Sequence, residues 1–296
     1  MSRLRCQRTV RQPVAVEGFG YYSGRDIRVE FRPAEAGSGV TFVRNDLGVS
    51  ARVPVTPKLR LDVPRRTTLE YRGVRVEMVE HVLAALAGIG IDNCEVWVSA
   101  AEMPGCDGSA LAFVEALDRG GIIEQAEPVR QLRARKTVRV GDERTWIEAR
   151  PPQGDRLSVS FSLDYGLETS IGRQAIRLEV SPDAFRTELA PCRTFLLEQE
   201  AQAMLAQGIG TRVTPKDLLI FGSAGPLDNP LRFDNEPVRH KVLDVLGDLA
   251  LTGCEVIADI VAFRSGHKLH AELAARLLEQ AGISHEHLTS KQQLCA

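Results

Sequence analysis

The chain has 296 residues, 44% of them apolar and 26% charged, with a formal net charge of -2. That length suits two domains or one large one with an ample core, and the near-neutral balance argues against a polybasic nucleic-acid or membrane surface. No apolar run reaches the roughly 18–20 residues of a membrane span, and no apolar segment follows Arg3-Leu4-Arg5 to make a signal peptide. The six cysteines are dispersed without a Cys-x-x-Cys pair, as expected of reduced thiols in a cytoplasmic protein.

From 10 to 43 the sequence alternates polar and apolar residues in short bursts such as Ile27-Arg28-Val29-Glu30-Phe31, which predicts strands and turns. The Gly-rich stretch from Glu17 to Gly24 precedes no helical pattern and is therefore not a dinucleotide loop. A strand is expected over 71–76, then a first strong helix over 78–87, with Val79, Val82, Leu83 and Leu86 on its buried stripe. Glu80 and His81 adjoin in its first turn, about 100° apart, so they can flank one point in a cleft as base and ligand. The plain alternative is a glutamate favoured by the helix dipole beside a half-buried histidine. A strand over 93–98, a tight turn from Pro104 to Ser109 and a second helix over 110–117 follow, and 120–131 reads as a connector.

Beyond the connector the pattern restarts with strands over 136–140, 146–149, 157–163 and 175–180, a helix over 195–206 and a Gly/Pro-rich loop over 208–230. A helix then runs from Glu236 to Leu249, with Pro237 suited to its first turn. Val238, Val242, Val245, Leu246 and Leu249 form its apolar stripe, while His240, Asp244 and Asp248 stack at i, i+4, i+8 with Lys241 beside them. Imidazole and carboxylate one turn apart can hold a metal; the bland reading is a solvated face with a pair stabilising by roughly 0.2–0.5 kcal/mol. A strand over 254–263, the turn Ser265-Gly266-His267 and a last helix to 278 complete the pattern, and the polar tail with His285-Glu286-His287 reads as solvated.

The halves echo each other: a helical histidine (His81, His240) is followed by a Cys-Glu-Val strand (94–96, 254–256), a Gly turn and another helix. This suggests two similar α+β layers, each giving one helical histidine to a shared cleft. His81, His240 and Asp244 would leave an open position on tetrahedral zinc, though the same set also fits a non-haem iron triad. Hydrolysis is favoured because it gives work to Glu80 as base, His267 as acid, Asp248 as the acid's partner and Lys241 as an oxyanion donor.

Several runs carry a resemblance: Val79-Glu80-His81-Val82-Leu83-Ala84-Ala85-Leu86, Asp107-Gly108-Ser109-Ala110, Arg193-Thr194-Phe195, Val238-Arg239-His240-Lys241-Val242-Leu243-Asp244, Gly247-Asp248-Leu249 and Ser265-Gly266-His267. Together the chain resembles the zinc-dependent UDP-3-O-acyl-N-acetylglucosamine deacetylases of lipid A biosynthesis, over nearly its whole length. The resemblance implies an α+β fold of two β-α-α-β layered domains, 1–126 and 127–296, packed face to face around the active site. It implies Zn2+ on His81, His240 and Asp244, Glu80 as general base, His267 as general acid with Asp248, and an oxyanion held by Lys241 and Thr194. Phe195 would begin a helical insert lining an acyl passage, and Tyr165 and Arg264 would face the nucleotide. The expected partner is a UDP-linked acyl amino sugar, with no nucleic acid, for a monomeric protein. Departures from the family pattern are Tyr22 in place of histidine, Met78 in place of Ser or Thr, Gly105-Cys106, and the stretch 210–217. The alternatives are a zinc amidase for another acylated amino sugar and a silent paralogue that only binds the nucleotide lipid.

Overall fold

The computed structural model describes residues 4–283, so the His285-Glu286-His287 tail lies outside the described residues. The first half opens with β1 (Cys6–Val10), β2 (Val14–Phe19), β3 (Asp26–Pro33), β4 (Val40–Arg44) and β5 (Arg52–Pro54). A small sheet of β6 (Arg60–Leu61), β7 (Thr68–Tyr71) and β8 (Val74–Glu77) precedes helix α1 (Glu80–Ile89). Then come β9 (Cys94–Val98), α2 (Leu111–Gly120) and β10 (Ile122–Pro128).

The second half runs β11 (Gln131–Arg133), β12 (Val138–Gly141), β13 (Trp146–Arg150), β14 (Ser158–Asp164) and β15 (Arg173–Glu179). Its insert comprises α3 (Pro182–Ala184), β16 (Phe195–Leu197), α4 (Glu198–Ala206), β17 (Leu219–Gly222) and β18 (Gly225–Pro226). The long helix α5 (Glu236–Leu249) follows, then β19 (Glu255–Ile257), β20 (Asp259–Phe263) and α6 (His267–Ala281).

The duplication is plain in the sheets. One has the order β2-β3-β9-β4-β5 and the other β12-β13-β20-β14-β15. Each holds one parallel pairing at the same place, β4 with β9 and β14 with β20. A parallel pair needs a long crossover, and in each half that crossover carries an insert followed by a helix, α1 or α5. The Cys-Glu-Val echo does not mark the true register. Cys94 opens the central strand β9, whereas Cys254-Glu255-Val256 leads into β19, which pairs with β11, and the counterpart of β9 is β20.

Both crossover helices are buried on nearly every side, as helices with little polar surface must be. In α5 only Arg239 and Lys241 escape full burial. Where the two helices meet, a Cβ on Gly247 would lie 2.1 Å from the Glu80 carbonyl oxygen, so only glycine permits the approach. The core wraps this pair, with Phe31 and Phe113 in edge contact in the first half and Phe161 and Phe185 buried in the second.

Four expectations are corrected. The segment expected as one strand over 71–76 is the β7–β8 hairpin, turned at Arg72 and Gly73, both with positive φ (51° and 80°), as a type I′ turn requires. The connector region contains strand β10, paired with β1. The expected helix over 195–206 starts only at Glu198, because Phe195 belongs to β16, which pairs with β17. The strand expected over 254–263 is interrupted at Ala258 into β19 and β20. Among the described residues no helix is long and apolar enough to cross a membrane, and the five described cysteines are free.

Candidate active site

The first turn of α1 and His240, Lys241 and Asp244 of α5 face one cavity of about 470 Å³ at the seam of the two halves. It takes its walls from both inserts: Arg60 to Arg65 on one side, Phe195 to Ile220 on the other.

At its floor, His81 from one half meets His240 and Asp244 from the other, and their ligating atoms all lie within 4.8 Å of one another. Asp244 Oδ2 accepts from Lys241 Nζ at 2.7 Å, while its Oδ1 is buried with no hydrogen-bond partner among the described residues. That orphaned oxygen lies 3.4 Å from His240 Nε2 and 3.8 Å from His81 Nε2. An unpaired buried carboxylate oxygen is costly, and a cation among the three atoms would satisfy it. His240 Nδ1 bonds the Cys192 carbonyl at 3.0 Å, which makes Nδ1 the donor and leaves the Nε2 lone pair facing Asp244. Burial pulls His81 down to about 3 and also lowers His240, so both rings are neutral, as metal ligands must be. Asp244 is charged at any ordinary pH: Lys241 and the histidines outweigh its burial and hold it far below the usual carboxylate range.

Glu80 is buried beside this set, and Thr67 N–H donates to its Oε2 at 2.9 Å. Burial, partly countered by His267, raises its pKa to about 7. Its Oε1 faces His267 Nε2 at 4.0 Å across the cavity. His267 begins α6, and its Nδ1 bonds Asp248 Oδ2 at 2.8 Å. Burial opposes its charge, yet Asp248, Asp244 and Glu80 outweigh burial and raise its pKa to about 9. A carboxylate near its titration point and a protonated imidazole thus oppose each other above a cluster that could hold a cation, the pairing that acid–base hydrolysis needs.

The remaining expected residues also line the cavity. Thr194 is set by its N–H donating to Gly108 O at 2.7 Å, and Arg193 before it is locked in place. The Arg193 guanidinium forks onto the buried Glu236 through Nε at 2.8 Å and Nη2 at 2.9 Å, tying the strand to the start of α5. Phe195 packs edge-on to Tyr165 and to His240, with ring centroids 5.7 and 6.3 Å apart. Arg264 is exposed at the rim, with a left-handed φ of 52°. Tyr22 stacks under the Arg66 guanidinium at 3.9 Å.

The divergent 210–217 stretch meets the first half's glycine turn and the strand after it. Arg212 pairs with Asp26 at 2.6 Å, and the Tyr21 hydroxyl donates to the Asp217 carbonyl. The helix expected from Met78 starts two residues later, at Glu80, and Met78 takes a left-handed φ of 57° just before it.

The sequence reading assigned no role to three buried residues, Thr67, Ser265 and His270. Thr67 accepts from Val79 N, donates its own N–H to Glu80 and gives its hydroxyl to Asp248 Oδ1 at 2.5 Å. His270 Nδ1 reaches Asp248 Oδ2 at 2.8 Å, and Ser265 Oγ reaches His270 Nε2 at 2.9 Å. The spacing of His267 and His270, three apart at a helix start, was the available signal.

Comparison with known proteins points to one family. A sequence model of the UDP-3-O-acyl N-acetylglycosamine deacetylase (LpxC) family matches residues 7–279. A Chlamydia trachomatis (serovar L2) protein named UDP-3-O-acyl-N-acetylglucosamine deacetylase is 35% identical over 283 residues, covering 95% of this chain and 97% of its own. Proteins of that name from Shewanella violacea and Shewanella sediminis are 34% and 35% identical, each over 93% of this chain and 90% of their own. With its duplicated sheets, His-His-Asp cluster and end-to-end likeness, the chain belongs to the UDP-3-O-acyl N-acetylglycosamine deacetylase family.

Proposed function

We propose that this protein hydrolyses the N-acetyl group of a UDP-3-O-(3-hydroxyacyl)-N-acetylglucosamine, releasing acetate and the free amine on the route to lipid A, with Zn2+ held by His81, His240 and Asp244. The observation that carries the reading is the buried, unpartnered Asp244 Oδ1 between two neutral histidines, with Glu80 and His267 facing each other above it. When bound, the cation supplies a Lewis acid that polarises the amide carbonyl and makes water acidic enough to attack near neutral pH.

The chain's own residues do the rest. Glu80 takes a proton from the attacking water as the new carbon–oxygen bond forms, with Thr67 N–H holding its other oxygen in place. Lys241 Nζ, anchored on Asp244, and the Thr194 hydroxyl donate to the developing oxyanion, the usual source of the largest share of acceleration in acyl transfer. His267 gives its Nε2 proton to the leaving nitrogen as the carbon–nitrogen bond breaks, while Asp248 orients its ring.

The apolar side chains of Leu196, Met204, Leu205, Ile209 and Val213 suit an acyl chain, and Tyr165 and Arg264 at the rim suit the nucleotide. The deciding experiment measures acetate release by metal-stripped protein before and after one equivalent of zinc. Zinc-restored turnover is expected. A folded, zinc-loaded protein that releases no acetate at any acyl length would overturn the reading in favour of a binding-only paralogue or another amino-sugar substrate.

A further inference from the structure

Asp248 is fully buried and carries more hydrogen bonds than holding His267 requires. Its Oδ1 takes the Thr67 hydroxyl, and its Oδ2 takes the Nδ1 atoms of both His267 and His270 at 2.8 Å each. His270 is itself fully buried, one helical turn beyond His267 on α6. Its second ring nitrogen meets Ser265 Oγ at 2.9 Å. A neutral imidazole that donates from Nδ1 to a carboxylate must accept at Nε2, and the Ser265 hydroxyl is the donor that fits. Burial lowers the pKa of His270, in keeping with a neutral ring. The two Nδ1 atoms sit at hydrogen-bond length from the same oxygen, so ring protons alone account for the close approach of Asp248, His267 and His270.

A carboxylate's terminal torsion is broad and roughly two-fold, so one imidazole alone would leave Asp248 free to turn. Three donors on two oxygens leave a single orientation. We infer that His270, fixed by Ser265, is a positioning residue that locks the Asp248 carboxylate so that His267 presents its Nε2 proton to the leaving nitrogen. This rests on the proposed hydrolysis and on His267 as its acid, and adds two residues that the Asp248–His267 pair does not call for. A structural histidine that merely fills the core would act on stability without acting on the chemical step.

The test compares zinc-loaded parent protein with His270→Leu, His270→Asn and Ser265→Ala. His270→Leu is expected to lower kcat about 10–100-fold, the usual effect of removing a partner of a site residue, with KM and zinc content unchanged. His270→Asn, whose amide N–H can reach the same oxygen, is expected to recover most of that loss. Ser265→Ala, which removes only one hydroxyl, is expected to fall between. Parent-like kcat in His270→Leu, equal losses in the Leu and Asn variants, or a loss confined to KM or zinc would overturn the inference. Should His270→Leu not fold, Ser265→Ala decides: a fall in kcat with KM and zinc content unchanged is expected, and a parent-like kcat or a loss confined to KM or zinc would overturn the inference. Imidazole N–H resonances give a readout independent of turnover: removing the His270 side chain or its serine should shift the His267 Nδ1 proton. An unshifted proton in the variants overturns the inference, whereas the expected shift in the variants of a parent protein that releases no acetate overturns only the hydrolase reading.

Discussion

At the scale of single residues, the site separates groups that hold from groups that transfer protons. Glu80→Gln keeps the side-chain volume but cannot take a proton, so turnover should fall about 10²–10⁴-fold while zinc content stays at the parent level. Loss of zinc as well would contradict the base assignment. As the proposed general acid His267 must be protonated, so kcat should fall as pH rises through its raised pKa of about 9. Asp248 is the strongest group favouring that charge, so Asp248→Asn should move the falling limb to lower pH, read from a kcat–pH profile. A limb left in place would show that His267 is not the titrating acid. That Glu80 would face His267 and that His81, His240 and Asp244 would cluster was legible in the sequence because helical spacing and residue chemistry mark them. Thr67 was not, since its role depends on a hairpin, 13 residues before Glu80 in the chain (80 minus 67), folding back onto α1.

At the scale of elements, α5 depends on what holds its start. Its N-cap residue Asn235 makes no side-chain capping bond, and the first turn is secured instead by Glu236, which collects Arg193 and the Arg232 N–H. Glu236→Ala strands a buried guanidinium, so a loss of about 3–5 kcal/mol is expected, measured by chemical denaturation. An exposed-pair value below about 1 kcal/mol would show that the fork is not buried in solution. The helices themselves were readable from 3.6-residue periodicity, and the Glu236–Leu249 limits match those expected. Phe195 was misassigned because Glu198 to Ala206 is helical and its pattern blends into the three-residue strand before it. Only the distant partner β17, brought near by the fold, makes Phe195 extended.

At the scale of the whole molecule, the proposed cation site would take one ligand from α1 and two from α5, which would make metal and inter-half contact one variable. Gly247→Ala would drive a methyl into the Glu80 backbone, and overpacking of this kind costs about 1–3 kcal/mol. Zinc affinity should weaken with it, because the helices must part; unchanged zinc titration in a destabilised variant would uncouple the two. Removing the metal from parent protein should lower Tm on the order of 10 °C at a cation concentration about a thousand times Kd, and Asp244→Asn should lose that response. The duplicated architecture was half legible: the repeat of helix, strand and turn was visible, but its register was not, since strand order is decided by pairing across the chain.

The joint between the halves carries a consequence for access. β10 is bonded to β1 and β11 to β19, with only Val129 and Arg130 between them, and both of those are tied as well: Val129 N–H donates to Arg5 O, and Arg130 O accepts from Glu255 N–H. Arg5 then grips Asp92 in one half and Glu255 in the other. The molecule is a book with a glued spine. A bulky lipid cannot be admitted by swinging the covers apart, so whatever breathing its passage requires belongs to the fore-edge, where α4 and the 208–217 segment rest against the β6–β8 flap and the glycine turn through few bonds, Arg65 to Glu200 and Arg212 to Asp26 among them.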